Sequence, residues 1–160
     1  MKSRNSGFTI VELIVVMLII GIITVIAGLS VSTSTAAKTQ RTAASIDSLI
    51  SKCRTDTLGR SGSVYLTLSL DSNGDIVCTH SDGTNVSADT FSGKGISVTY
   101  QTTITPSVAL TSSNSLTLSF NRSTGGLNMQ SGAYCTSIIF TGGRTYTIVL
   151  VPSTGNHSLT

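Results

Sequence analysis

The stretch Gly7-Phe8-Thr9-Ile10-Val11-Glu12 joins a short basic segment to a long apolar one, and its reading decides the fold. Ahead of it, Lys2 and Arg4 are the only charges. Behind it, Leu13 to Ala37 carry none, and Leu13 to Ile23 are apolar except for Gly21. Glu12 is the only glutamate in the chain and the only acid before Asp47. A carboxylate inside an apolar helix is costly and is normally paired and functional, so this one calls for a partner.

On these residues the N-terminus resembles the type IV pilins and type II secretion pseudopilins, which carry class III signal peptides. Gly7, Phe8 and Glu12 stand where that family has its junction glycine, its first mature residue and its fifth-place glutamate. Gly21 matches a glycine common in the family's helix. The resemblance covers about the first thirty residues. It implies cleavage by a prepilin peptidase between Gly7 and Phe8, N-methylation of Phe8 and a role for Glu12 in assembly registry. One departure stands out: the proline that many major pilins carry part-way down the helix would fall at Leu29.

Physical chemistry gives these implications a rationale. A membrane-spanning helix takes about 20 mostly apolar residues, and residues 8–31 supply such a run. Lys2 and Arg4 place the leader on the cytoplasmic side. A cut after Gly7 gives Phe8 a free amine one helical turn from Glu12. Between axially shifted parallel helices, that carboxylate can meet a neighbour's amine. Desolvation offsets much of the attraction, so the pair sets registry more than stability. An ordinary signal peptide, ending near Thr35-Ala36-Ala37, has a shorter apolar core and no acid at its head. A plain signal anchor is the other alternative.

The 160 residues suit one small domain and its anchor. Of the 10 basic residues, Lys2 and Arg4 lie in the leader; the rest nearly balance the 7 acids. A near-neutral head, rich in Ser, Thr and Gly, speaks against nucleic acid as a partner. Cys53, Cys78 and Cys135 fall on the external side, where disulfides persist. An odd count leaves one thiol over, and Cys78 with Cys135, both in the strand region, is the favoured pair. Cys53 reads as a small buried hydrophobe. Cys78 and His80 share a strand face, but further ligands are missing, so no metal is expected.

Past the apolar run, Ile46, Leu49, Ile50, Cys53 and Thr57 or Leu58 follow helical spacing, and Gly59-Arg60-Ser61-Gly62 supplies the stop. Ser32 to Ala37 reads as a flexible joint. The period then becomes two, with Val64, Leu66, Leu68 and Leu70 leading into a turn at Asn73-Gly74 and a hairpin return through Ile76 and Cys78. Ile96 to Tyr100 and Leu116 to Phe120 repeat the alternation. Ile138 to Leu150 reads as a hairpin about Gly142-Gly143, and Pro152 to Gly155 turns toward a short last strand. Ser81 to Gly95 and Ser123 to Gly132 read as loops.

The expected organisation is therefore a leader (1–7), a transmembrane and assembly helix (8–31), an amphipathic continuation (32–60) and an extracellular β-rich head (61–160). The fold class is α+β, a long N-terminal helix packed against an antiparallel β-sheet head. Within the wider family, Leu49, Arg54, Gly62, the strand from Val64 to Leu70 and the endings Phe120 to Gly126 and Ile148 to Gly155 resemble GspH/FimT-type minor pseudopilins. Some of those bind DNA through basic residues after the last glycine; here Asn156, His157 and Ser158 follow, so that activity is not carried over.

No catalytic constellation emerges. Gly59 to Ser63 lacks the nucleophile-elbow order, Gly93-Lys94-Gly95 lacks a phosphate loop, and Asp71, Asn73 and Asp75 suit a hairpin better than a calcium loop. The expectation is a structural subunit, not an enzyme, with no cofactor. Its partners would be prepilin peptidase, other pilin or pseudopilin subunits, an inner-membrane assembly platform and membrane lipid. A minor pilin of a DNA-uptake system and a non-polymerising membrane-anchored binding module are the alternatives.

Overall fold

The computed structural model describes residues 9–60 and 62–160, the side chains of 26–33 excepted. It contains helix α1 (Ile10–Gly59) and strands β1 (Val64–Leu70), β2 (Ile76–Asp82), β3 (Val86–Phe91), β4 (Ser97–Thr102), β5 (Val108–Ala109), β6 (Leu116–Leu118), β7 (Cys135–Gly142), β8 (Arg144–Val151) and β9 (Asn156–Leu159). Contacts divide it into two units, one ending at Ser34 and one running from Thr35 to Thr160. The α+β class is the one expected.

Among the described residues, no helix is long and apolar enough to cross a membrane. The reason is extent. Side chains are described from Ile10 to Val25, and a helix of that length reaches about 24 Å against a hydrocarbon core of about 30 Å. Phe8 and the side chains of 26–31, which the expected span also uses, lie outside the description. Ser32 to Ala37, read as a joint, is helical, and the division between the units falls inside it.

In the second unit, α1 buries one stripe: Thr39, Ala43, Ile46, Ile50, Cys53 and Thr57. These residues alternate steps of four and three, which keeps them on one helix face. The stripe starts earlier than apolar spacing suggested, because Thr39 and Thr42 are buried without being hydrophobic. Thr39 Oγ1 donates to Thr35 O at 2.8 Å and Gly142 O at 2.7 Å as alternative acceptors, and Thr57 Oγ1 donates to Cys53 O at 2.8 Å. Backbone carbonyls thus satisfy both hydroxyls. Of the two residues expected at the stripe's end, Thr57 is buried and Leu58 is exposed.

Two antiparallel sheets share a core with that stripe. One has the order β3-β2-β1-β6 and the other β5-β4-β7-β8-β9. Leu66, Leu68, Ile76 and Cys78 from the first sheet, and Ile138, Phe140 and Ile148 from the second, join Ile46 and Ile50 in one cluster. The turn at Asn73-Gly74 joins β1 to β2, and Gly143 joins β7 to β8, as the alternation implies. β3 corrects the reading of Ser81 to Gly95 as loop. Val86 to Thr90 are all exposed, so this edge strand has no buried face to impose a period-two pattern.

The β2–β3 turn is built around Asp82. Its Oδ1 accepts the N–H groups of Asn85 (2.7 Å) and Thr84 (3.0 Å), and Oδ2 accepts from Arg60 Nη1 at 2.6 Å. The two N–H groups, Asn85 first, hold its carboxyl down to about 2, with Arg60 assisting. A carboxyl lowered by folding adds stability above its unfolded value of about 4 and loses it as the pH falls through the folded value. Denaturation titrations between pH 5 and pH 2 should therefore show a shallower stability slope for Asp82→Asn than for the parent. Parallel slopes would show that this carboxylate does not contribute.

Candidate functional site

Gly7 and Phe8, the cleavage and methylation residues expected from sequence, lie outside the described residues. Glu12 lies within them, in the first turn of α1. Thr9 caps that helix. Its Oγ1 accepts the Glu12 N–H at 3.3 Å, and its carbonyl accepts the Leu13 N–H at 3.2 Å. Thr9-x-x-Glu12 is also a capping-box sequence, in which a glutamate three residues past the cap supports the helix start. An acid there is further favoured by the helix dipole. The sequence reading gave Glu12 an assembly role alone, although this signal was present in the same four residues.

From Ile10 to Val25 the helix is apolar and exposed all round, with Ile10 at 82%, Leu18 at 61% and Ile23 at 58%. A helix hydrophobic on every side belongs in an apolar environment. Its Thr24 hydroxyl turns back on the helix, toward Ile20 O (3.0 Å) and Gly21 O (2.9 Å), so the side chain needs no outside partner. Glu12 is also exposed. From Ile10 to Val25 the first unit therefore presents an uncovered apolar helix with one carboxylate near its start.

In the second unit, a side chain from α1 reaches two turns of the head, at Gly125 and at Thr154. Arg54 donates to Thr154 O through Nη2 at 2.9 Å and to Gly125 O through Nε at 3.4 Å. Gly155, at φ 67°, lies so close to the Gly125 carbonyl that a side chain there would collide with it. Arg54, Gly126 and Gly155, singled out from sequence, thus belong to one locality. The motif gave no hint that Arg54's partners are carbonyls, because any residue supplies one.

Both histidines also face α1. His80 is buried, with Nε2 3.0 Å from Asp56 Oδ2, while Asp56 Oδ1 lies 3.4 Å from Arg60 Nε. The Asp56–Arg60 pair is a local i,i+4 contact, whereas the His80–Asp56 contact was not visible in sequence, since it depends on β2 folding back onto the helix. His157 Nε2 lies 2.8 Å from Ser51 Oγ and 3.7 Å from Asp47 Oδ1. Serine, histidine and aspartate here do not make a triad. The acid of a triad holds the ring nitrogen opposite the serine, whereas both groups approach the same nitrogen and Nδ1 faces Gly155 O at 3.5 Å. Among the described residues, no group of three His, Cys, Asp or Glu side chains could hold a metal ion.

The Cys78–Cys135 bridge favoured from sequence is not formed: all three cysteines are free and buried. Cys78 lies in the first sheet and Cys135 in the second, so membership of the strand region did not make them partners. Burial pushes each thiol up to about 12, with Asp56 adding to the effect at Cys53 and Asp89 at Cys78.

Residues 2–28 match the prokaryotic N-terminal methylation motif. That motif marks the N-terminal segment as type IV pilin-like, the kind of sequence processed by prepilin peptidase and assembled with other pilins. No curated protein and no solved structure matches the chain.

Protonated, buried thiols are poor nucleophiles. Iodoacetamide at pH 8 should therefore leave Cys53, Cys78 and Cys135 unmodified in the folded chain and label all three in guanidinium without reductant. Intact mass reads the result; fewer than three labels after unfolding would reveal a bridge.

Proposed function

We propose that this chain is a structural subunit, a minor pilin or pseudopilin, of a type IV pilus or type II secretion pseudopilus. The observation that carries the reading is a single acid at the head of an exposed apolar helix, inside a methylation motif. Prepilin peptidase cuts between Gly7 and Phe8, with Gly7 giving close backbone access. The new Phe8 amine is methylated. The mature chain is held in the cytoplasmic membrane through residues 8–31, with its head outside the cytoplasm, until it enters a filament. There Glu12 aligns with the Phe8 amine of an adjacent subunit. The chain is not an enzyme in this reading, and a separate cytoplasmic ATPase supplies the driving force.

Within that class we favour a GspH/FimT-type minor pseudopilin. Its support is the locality around Arg54, where a helix arginine meets the two closing turns through Gly125 and Thr154. A subunit of a DNA-uptake pilus is the second reading, and gene neighbourhood separates the two.

Mass spectrometry of the N-terminus tests the processing step. The mature chain should begin at N-methylated Phe8. A start near Lys38, or retention of the first seven residues, would contradict the proposal. A membrane-anchored chain that begins at Phe8 but is found only as single molecules would favour a non-polymerising binding module.

Glu12 has two physical roles to separate, capping and registry. Glu12→Gln keeps a side chain that a capping box accepts but removes the charge. The cut at Phe8 should persist, while filament incorporation falls by about tenfold or more, equivalent to about 1.4 kcal/mol. Quantitative blotting of sheared filaments against membranes measures the ratio. Normal incorporation of the glutamine variant would leave Glu12 with capping alone.

A further inference from the structure

The first sheet ends at β6, and a cleft of about 310 Å3 opens beside that strand. Its walls include Tyr100 from β4, Val108 from β5 and the segment from Asn128 to Cys135. None of its lining residues is Asp, Glu, Lys, Arg or His. Hydroxyls and amides, such as Thr102, Asn114 and Gln130, alternate with Ile104, Leu116 and Leu118. Such a lining disfavours phosphates, carboxylates and cations, which would be desolvated without a counter-charge.

The backbone at this edge is open, and two separate observations establish its direction. The Asp71 N–H donates to Asp75 O at 2.9 Å just beyond the Leu70–Ile76 pair, which marks that pair as non-hydrogen-bonded. Antiparallel pairs alternate, so Thr67 exchanges its backbone bonds with Thr79. Thr67 therefore has none to give Thr117, its partner on β6, whose N–H and C=O face away from β1. From the other side, the Asn128 N–H donates to Ser119 O at 2.9 Å. Strand groups repeat every two residues, so Thr117, two positions back, points the same way as Ser119. Among the described residues, no protein group bonds the Thr117 N–H or C=O on that side. The second sheet treats its edge differently: Asn114 Nδ2 caps the Ala109 carbonyl at 3.0 Å.

We infer that this cleft is a binding site for a short, extended, uncharged polypeptide segment, which adds as a strand to the outer edge of β6. The segment exchanges main-chain hydrogen bonds with Thr117 and extends toward Ser115, continuing the pairing that Asn128 begins at Ser119. Main-chain bonds supply the attachment in this mode and side-chain pockets supply selectivity. From Ser115 to Ser119 the edge measures about 13 Å, room for about four residues. The charge-free walls select hydroxyl and aliphatic side chains. This inference concerns the head and does not depend on the filament reading.

The test uses the full chain in detergent micelles and the blocked hexapeptide Thr-Val-Thr-Val-Thr-Val. Titration should shift the amide resonances of Ser115 and Thr117 saturably. N-methylating the alternate peptide amides that face β6 should weaken binding by about tenfold or more, while methylating the other set should not. An Asp-Lys alternating peptide should bind less well. In the protein, Thr117→Pro deletes the outward N–H without removing a β1 ladder bond, so it should keep its circular dichroism and lose peptide binding. Unfolding of that variant would refute the derived register. The proposal is overturned if the two methylated peptides bind alike, if the hexapeptide leaves these resonances unmoved, or if maltotriose moves them in its place.

Discussion

The head depends on one helix face being covered by two sheets that, among the described residues, share no ladder hydrogen bond with each other. Ile46, Ile50 and Cys53 are fully buried, and they join apolar residues from both sheets in one core. Each sheet is antiparallel and the two interleave along the chain: β6 joins β1 to β3, whereas β4 and β5 pair with β7 to β9. Without the helix, the buried alternation of β1 and of β7 would have no common surface to cover. Side-chain clasps reinforce the arrangement at separate points, with Thr39 at Gly142, Arg54 at the closing turns and Asp56 at His80. These contacts are directional and the stripe is not. The stripe provides burial, while the clasps select which sheet residue stands over which helical turn.

The two parts of α1 obey opposite rules. From Thr39 onward, the buried residues form a single stripe, and charges such as Lys52 are exposed. From Ile10 to Val25 there is no stripe, since every side is apolar and exposed. A protein exposing so much contiguous apolar surface has not finished burying it. Glu12 sits at the start of this surface, where capping and dipole effects alone would tolerate an acid. Those effects explain why the helix starts well. They do not require the carboxylate to be the only glutamate of the chain, and the capping part acts equally for a glutamine, although the dipole part needs the charge.

Legibility in the sequence followed burial. The hairpins β1–β2 and β7–β8 were readable because one face of each is buried and the turns carry Asn-Gly and Gly-Gly. The helix stripe was readable from Ile46 onward, where most of its members are apolar, and invisible at Thr39 and Thr42, which are buried without being apolar; the Thr39 hydroxyl is satisfied by the Thr35 and Gly142 carbonyls. β3 was missed because an exposed edge strand has no pattern to show. Cys78 and Cys135 were misjudged as partners because strand membership says nothing about which sheet a strand joins. His80 and Asp56 could not be linked beforehand, since their meeting requires β2 to fold onto the helix turn that carries Asp56. At the N-terminus the acid is plain in the sequence, and Thr9 three residues before it carries the capping-box signal as well.

The distribution of charge decides where association energy can come from. The head carries nearly equal numbers of acids and bases, so long-range attraction between heads is weak and sensitive to salt. The apolar helix carries the opposite resource, a large area whose burial is worth about 25 cal/mol per Å2 but which is indifferent to axial sliding. Burial without direction cannot fix a subunit's level in a stack. A single carboxylate can, because its attraction falls off steeply once its partner moves by more than a few ångströms, and in an apolar surrounding the unpaired alternative is costly. In the proposed filament, adhesion would fall to residues such as Leu18 and Ile22, and register to Glu12. The neutral head is then free to use main-chain contacts that need no charge.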